Sequence, residues 1–253
     1  MKLLSVDIRK TETKNERMNG NFKRPRRRPR KRTKKEILRR QILIFAAAFC
    51  LIGGEIVLFN HIRNNREASA QSADITAEKY VKDRPELLVR LLPVNPYSRP
   101  GTELKQVKGI VVHYTANPGT TAMQNRDYFA GLADSHKTSA SSHFIIGLEG
   151  EIVQCIPCKE IAYASNDRNK DTISIECCIP DETGKFNDST YRSLVELTAW
   201  LIGRYDLGVE DVIRHYDVTG KNCPKYFVEH EEAWEAFRDD LTDYIAENGV
   251  DKE

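Results

Sequence analysis

From Ile42 to Phe59 the chain runs eighteen residues, Ile-Leu-Ile-Phe-Ala-Ala-Ala-Phe-Cys-Leu-Ile-Gly-Gly-Glu-Ile-Val-Leu-Phe, with one charge, at Glu55. No polar stripe breaks the run. A helix there is apolar all round and suits lipid better than one face of a water-soluble core. At 1.5 Å per residue it is about 27 Å long, enough to cross a bilayer's hydrocarbon. A carboxylate at the bilayer centre costs on the order of 3 kcal/mol, but Glu55 stands toward the outer end, within reach of the interface. The flank sets the orientation. Residues 1–40 hold 17 Lys/Arg against 4 Asp/Glu, so the positive-inside rule puts the amino terminus in the cytoplasm and everything after Asn60 outside. A cleaved signal peptide ending at Ala68-Ser69-Ala70 is the rival reading. A basic region of about forty residues is too long for one, and that site lies too far beyond the apolar run.

This segment divides the chain into a basic cytoplasmic tail (1–41), a signal anchor (42–60), a linker (61–95) and an outer domain (96–250). The block Lys23-Arg24-Pro25-Arg26-Arg27-Arg28-Pro29-Arg30-Lys31-Arg32 repels itself and has nothing apolar to bury, so the tail is expected to be disordered. Alone it would suit nucleic acid or anionic lipid. Beside an apolar span it reads as a topology signal, and no nucleic-acid partner is expected. The remaining residues are net acidic, which the whole-chain charge of +2 conceals. With 30% charged and 40% hydrophobic residues, wholesale disorder and a polytopic membrane protein are both excluded. Six cysteines are too few for a disulfide scaffold, so the outer domain must rest on a core. Within the linker, Pro85 opens a helix-like run, Glu86 to Leu92, that Pro93 and Pro96 end.

Beyond residue 107 short apolar runs alternate with amphipathic stretches. Val107–His113, Thr172–Cys177 and Val212–His215 read as strands. His143–Gly147 and Glu151–Ile156 read as a hairpin around Glu149-Gly150. Helices are predicted over Thr120–Ala133, from Asp188 as N-cap to Tyr205, and over Glu231–Ala246. Strands interleaved with helices predict an α/β fold, a sheet covered by helices.

The chemistry is concentrated in three residues. His113 and His215 each close a predicted strand, and strand ends are where α/β sheets place ligands. Cys223 follows His215 by eight residues, across a loop with Asp217, Thr219 and Gly220 that can fold back. Two imidazoles and a thiolate make a three-ligand zinc site with an open fourth position, the pattern of catalysis rather than structure. A lone histidine at a strand end is more often a hydrogen-bonded core residue, so the surrounding text has to raise the odds.

It does so through four motifs in order: His113-Tyr-Thr-Ala-Asn-Pro-Gly, Ser141-Ser-His-Phe-Ile-Ile, Ile173-Ser-Ile-Glu176, and His215-Tyr-Asp-Val-Thr-Gly-Lys-Asn-Cys-Pro224. Together they resemble the zinc N-acetylmuramoyl-L-alanine amidases of the phage-lysozyme and peptidoglycan-recognition-protein family, over about residues 96–230. The resemblance implies a central mixed sheet flanked by helices, a peptidoglycan substrate, and Zn2+ held by His113, His215 and Cys223. It makes Lys221 the family's catalytic lysine and Glu176 the strand glutamate that some branches use as general base. Other branches use a tyrosine just before the hairpin histidine. This chain has Ser142 there, which shifts the base role onto Glu176. Amide hydrolysis needs an activated water, an oxyanion stabiliser and a proton for the leaving nitrogen, and these residues can supply them.

The bland readings are that Glu176 is a strand carboxylate paired with an arginine and Lys221 a solvated loop charge. His143, in phase with Ile145, reads as a core residue, and His136 and His230 as exposed. Cys155-Ile-Pro-Cys158 has no second pair at zinc-finger spacing. A bridge from it to Cys177 or Cys178 and free buried thiols are both open. Asn187-Asp-Ser189 matches a glycosylation acceptor by chance. The functional expectation is a membrane-anchored hydrolase cutting the bond between N-acetylmuramic acid and L-alanine. The alternative is a non-catalytic peptidoglycan-binding module of the same fold, and Cys223 favours the enzyme because non-catalytic members of the family lack the cysteine ligand.

Overall fold

The computed structural model describes residues 63, 64 and 66–252, together with Lys35. The expected anchor at 42–60, and the tail apart from Lys35, lie outside the described residues. Among those described, no helix is long and apolar enough to cross a membrane.

The domain is built on a six-stranded mixed sheet. Its strands are β2 (Leu88–Val89), β3 (Ile110–Tyr114), β4 (Phe144–Ile146), β5 (Ile152–Gln154), β6 (Ile173–Cys177) and β7 (Val212–Arg214), in the order β2-β5-β4-β6-β3-β7. Only β4 and β5 run antiparallel, as the hairpin predicted around Gly150, whose φ of 87° suits the turn. The other four pairings are parallel. A separate antiparallel pair joins β1 (Lys79–Tyr80) to β8 (Val250–Asp251) after a helical stretch over 66–78.

Parallel strands buried on both faces are near-continuous apolar runs, which is why Ile110-Val-Val and Ile173-Ser-Ile were legible. On one face Ile110, Val112, Ile173, Ile175 and Cys177 meet Leu194, Leu197 and Leu201 of α2 (Asp188–Tyr205) and Phe237, Leu241 and Ile245 of α5 (Glu231–Asn248). On the other, Ile145 and Val153 pack under Ala122, Phe129 and Leu132 of α1 (Ala122–Ser135). Thus α1 covers the β4–β5 half of its face. The β6–β3–β7 half of that same face presents polar side chains.

Three expectations are corrected. Glu86–Leu92 is not helical: Leu88–Val89 pairs with Val153–Gln154, and the fully buried Leu92 donates its N–H to Cys155 O at 2.9 Å. The end of the presumed linker is therefore part of the packed sheet. The N-cap of α2 is Asn187, not Asp188, accepting from the Thr190 N–H. His215 does not close β7 but opens a short helix, α3 (His215–Thr219). Asn187 also donates to Leu148 O, a structural use of the residue that heads the glycosylation-like triplet.

Candidate metal centre

Register brings the candidates together. Across parallel strands His113 stands opposite Glu176, and Val112 opposite Arg214, so the next residue, His215, falls beside His113. His113 and Glu176 alternate with the core-facing Val112 and Ile175, which places them on the open half of the sheet's second face, at the carboxyl ends of the strands.

The chain returns Cys223 to this point through α3. Gly220, at φ 73°, ends that helix, and its N–H bonds Tyr216 O at 2.7 Å. Tyr216 N–H then donates to Cys223 O at 2.9 Å, closing the loop. The base of α3 is held by Arg214. Its guanidinium reaches Asp217 Oδ1 at 3.0 Å, Glu231 Oε2 at 2.7 Å and Phe227 O at 2.9 Å, and lies over the Trp234 ring. A buried arginine with this many acceptors and an aromatic face is a staple rather than a free charge.

His113, His215 and Cys223 are all buried and offer one donor atom each within 4.8 Å of one another. The imidazoles are tilted at 60° with ring centres 4.6 Å apart, and His113 Nδ1 lies 3.8 Å from Cys223 Sγ. Donors around a tetrahedral zinc, at bond lengths of about 2.0–2.3 Å, stand roughly 3.3–3.8 Å apart. A further observation fits a cation: His215 Nδ1 is buried with no hydrogen-bond partner among the described residues, and such an orphan is costly unless something binds it. Burial lowers the proton affinity of both imidazoles, for His113 well below its ordinary value, with His215 and Lys221 adding to the effect there and Lys221 at His215. Both rings are therefore neutral, with a lone pair to give. Burial and then Glu176 push the Cys223 thiol up to about 12, against the Tyr114 N–H and Lys221. A thiolate there needs a cation beside it. The donor set fits zinc.

Glu176 has a second buried orphan atom, Oε2. Burial raises its carboxyl to about 8 and Lys221 pulls the other way. No arginine pairs with it among the described residues, so the bland reading of a salt-bridged strand carboxylate is not what is found. Lys221 is exposed and stands two residues before Cys223, whose N–H donates to Lys221 O at 2.7 Å, and its charge lowers the proton affinity of His113, His215, Glu176 and Cys223 alike.

The remaining candidates stand elsewhere. His143 is a buried core residue bonded to Ser174 and Glu160 O. Ser142 turns its hydroxyl to Ser174 O and Phe144 O. His136 is exposed against Tyr97, and His230 is half-exposed beside Tyr226. Cys155, Cys158, Cys177 and Cys178 are free thiols, so the open question of a bridge resolves to unpaired cysteines. Sequence reasoning missed Ser165 and Asn166, which touch the two imidazoles. Neither sits in a recognisable pattern.

Residues 103–226 match the family model described as N-acetylmuramoyl-L-alanine amidase. The N-acetylmuramoyl-L-alanine amidase CwlL of Bacillus licheniformis is 36% identical over 180 residues, which is 66% of this chain and 49% of that protein. BlyA of Bacillus subtilis (strain 168), an amidase of the same name, is 31% identical over 182 residues, 64% of this chain and 48% of BlyA. The chain thus spans about half the length of the curated relatives it matches. Among solved structures, PlyL superposes with a TM-score of 0.53 at 25% identity, covering 62% of this chain and 97% of PlyL. The catalytic domain of XlyA gives 0.52 at 25% identity, covering 62% and 99%.

Proposed function

We propose that this chain, whose residues 103–226 match the N-acetylmuramoyl-L-alanine amidase family model, is a membrane-anchored peptidoglycan hydrolase. Its substrate is the amide between N-acetylmuramic acid and the L-alanine of the stem peptide. The observation that carries the reading is the meeting of His113, His215 and Cys223 beside a buried, unpaired Glu176.

In this reading the three residues hold Zn2+, which when bound supplies a Lewis acid for the scissile carbonyl and lowers the pKa of water. The chain's own groups do the rest. Glu176 takes a proton at Oε2 and returns it to the leaving amine nitrogen. Burial raises the Glu176 carboxyl above its ordinary value, which favours its holding that proton between the two steps. Lys221, two residues before Cys223, stabilises the developing oxyanion with its ammonium. The apolar run 42–59 behind a basic flank supports a single span with the amino terminus in the cytoplasm and the catalytic domain outside.

Mass analysis of peptidoglycan digested by the full-length chain tests the reading. The expected products are free stem peptides beginning with L-alanine and glycan stripped of peptide, with release stopped by a chelator and restored by zinc. A protein that sediments with the wall and leaves every muropeptide intact would be a binding module instead. For the anchor, protease added outside spheroplasts should remove the domain. Protection of the domain would reverse the topology.

A further inference from the structure

Neither imidazole stands free on the side away from Cys223. His113 Nε2 lies 3.1 Å from Ser165 Oγ, and His215 Nε2 lies 3.4 Å from Asn166 Oδ1. The two partners are consecutive residues, at the entry of a short 3-10 helix, Asn166–Lys170. We propose that Ser165 and Asn166 act as a two-pronged positioning device, each taking the Nε2 proton of one histidine so that both Nδ1 lone pairs converge on the metal position. The inference rests on the zinc reading above, but concerns residues that do not themselves bind metal.

The geometry supports it from three sides. A neutral imidazole carries one N–H, and the hydrogen bond at one nitrogen decides which nitrogen is left to bind a metal. Here Nε2 of both rings has a protein partner, whereas His113 Nδ1 faces only the Cys223 sulfur and His215 Nδ1 faces nothing. A histidine ligand typically donates its other N–H to an outer partner that fixes tautomer and ring plane, and losing such a partner costs about 10–100-fold in metal affinity.

The two-residue segment is itself held in place. Asn169 Oδ1 accepts from the Ala164 N–H at 3.0 Å and the Ser165 N–H at 2.6 Å, and the Arg168 N–H donates back to Ser165 O at 3.0 Å. Thr172 Oγ1 donates to Arg168 O at 2.6 Å, tying the far end of the turn to the start of β6. Asn166 has φ 51°, the left-handed conformation that asparagine tolerates better than most residues. That conformation lets neighbouring side chains reach two different rings. The prongs are unequal. Ser165 is buried, while Asn166 is exposed and its bond is long, so water competes for it.

The test uses the full-length chain and zinc itself as the probe, in competition with a chromophoric chelator. Ser165→Ala should weaken zinc binding by about 10–100-fold and Asn166→Gly by about 10-fold or less. Glycine keeps the left-handed backbone, so only the side-chain contact is lost. Ser165→Thr and Asn166→Asp keep an acceptor and should hold affinity near the wild-type value. A merely structural role would not move the second readout, the nitrogen-15 shifts of the imidazoles in the zinc-free protein. Wild type should show His113 and His215 as Nε2–H tautomers, and Ser165→Ala should turn His113 into a tautomer mixture. An Nδ1–H tautomer in the wild type, or variants with unchanged affinity and unchanged shifts, would overturn the inference while leaving the metal centre standing. Failure of the wild type to bind zinc at all would overturn the metal reading itself.

Discussion

Two buried groups of histidine chemistry stand in the same domain, at the edges of one sheet's strands, and are treated in opposite ways. At the start of β4, His143 is satisfied on both sides: the Ser174 N–H donates to Nδ1 at 3.0 Å, and Nε2–H donates to Glu160 O at 2.9 Å. Near the end of β3 and just after β7, His113 and His215 are each satisfied at Nε2 only: His113 Nδ1 meets the Cys223 sulfur at 3.8 Å, and His215 Nδ1 has no hydrogen-bond partner among the described residues. Burial is the same in kind, with His113 at 2%, His143 at 1% and His215 at 6% relative exposure. What differs is the hydrogen-bond account. A buried polar atom without a partner is destabilising, of order 1–3 kcal/mol, so a fold that keeps several together at one strand end is reserving them for something the polypeptide alone does not provide. Residue type and burial do not separate a functional histidine from a structural one. Unspent hydrogen-bonding capacity does.

The largest effects should therefore come from the unspent side. Cys223→Ser replaces the one soft donor, and the loss should exceed the cost of an outer partner, so zinc competition should weaken by more than about 100-fold. Retention of a full zinc equivalent under the same chelator would break the comparison at its root. Glu176→Gln should leave zinc affinity near wild type but lower the rate of amide cleavage by about two to four orders of magnitude, the usual worth of a positioned acid–base group. Mass analysis of released stem peptides reads it. A variant still cutting at the wild-type rate removes Glu176 from the proton path.

How much of this could be read before the fold is instructive. Buried parallel strands announce themselves as apolar runs, so β3 and β6 were visible, and with them the strand-end position of His113 and the inward phase of Glu176. The helices α1, α2 and α5 were visible from their spacing and end signals. Leu88–Val89 was not. In Leu87-Leu88-Val89-Arg90-Leu91-Leu92 nothing local distinguishes a turn of helix from an edge strand, and only pairing with the distant Val153–Gln154 decides it. The short β1–β8 pair was hidden for the same reason. Within the site, the three sulfur and nitrogen donors were legible because their residue types are chemically special. Ser165 and Asn166 were not, because a serine and an asparagine in a polar loop carry no signal until the loop is known to land on two imidazoles.

The satisfied side of the comparison predicts effects on stability rather than turnover. Burial lowers His143 to about 4 from an ordinary 6.5. The unfolded chain therefore binds the extra proton first, between pH 6.5 and about 4. The stabilisation is whole above 6.5 and drains away as the pH falls through that window, by up to about 3 kcal/mol. His143→Gln should cost about 1–3 kcal/mol at neutral pH by disturbing the Ser174 and Glu160 bonds. It should also flatten the wild-type slope in urea melts taken between pH 4 and 6.5. An unchanged slope would mean that His143 is not held neutral.

The smallest effect belongs to the pair that steadies the His143 acceptor. Arg99 grips Glu160 with two bonds, Nε to Oε2 at 2.8 Å and Nη2 to Oε1 at 2.7 Å, and gives a third to Leu92 O at 2.6 Å. The hydrogen bond from Arg99 holds the Glu160 carboxyl below its ordinary 4.5, against some burial. A depressed carboxylate contributes above its unfolded pKa and loses that contribution as the pH drops below 4.5, a window lower than that of His143. Since both side chains keep some contact with water, Glu160→Gln should cost no more than about 1 kcal/mol at pH 7 and less in acid. In a double-mutant cycle with His143→Gln the two losses should be non-additive, because Glu160 O is the acceptor for the His143 Nε2–H. Strict additivity would show that the ion pair and the buried histidine are independent, and that the hairpin end is not one connected, fully satisfied unit set against the open one.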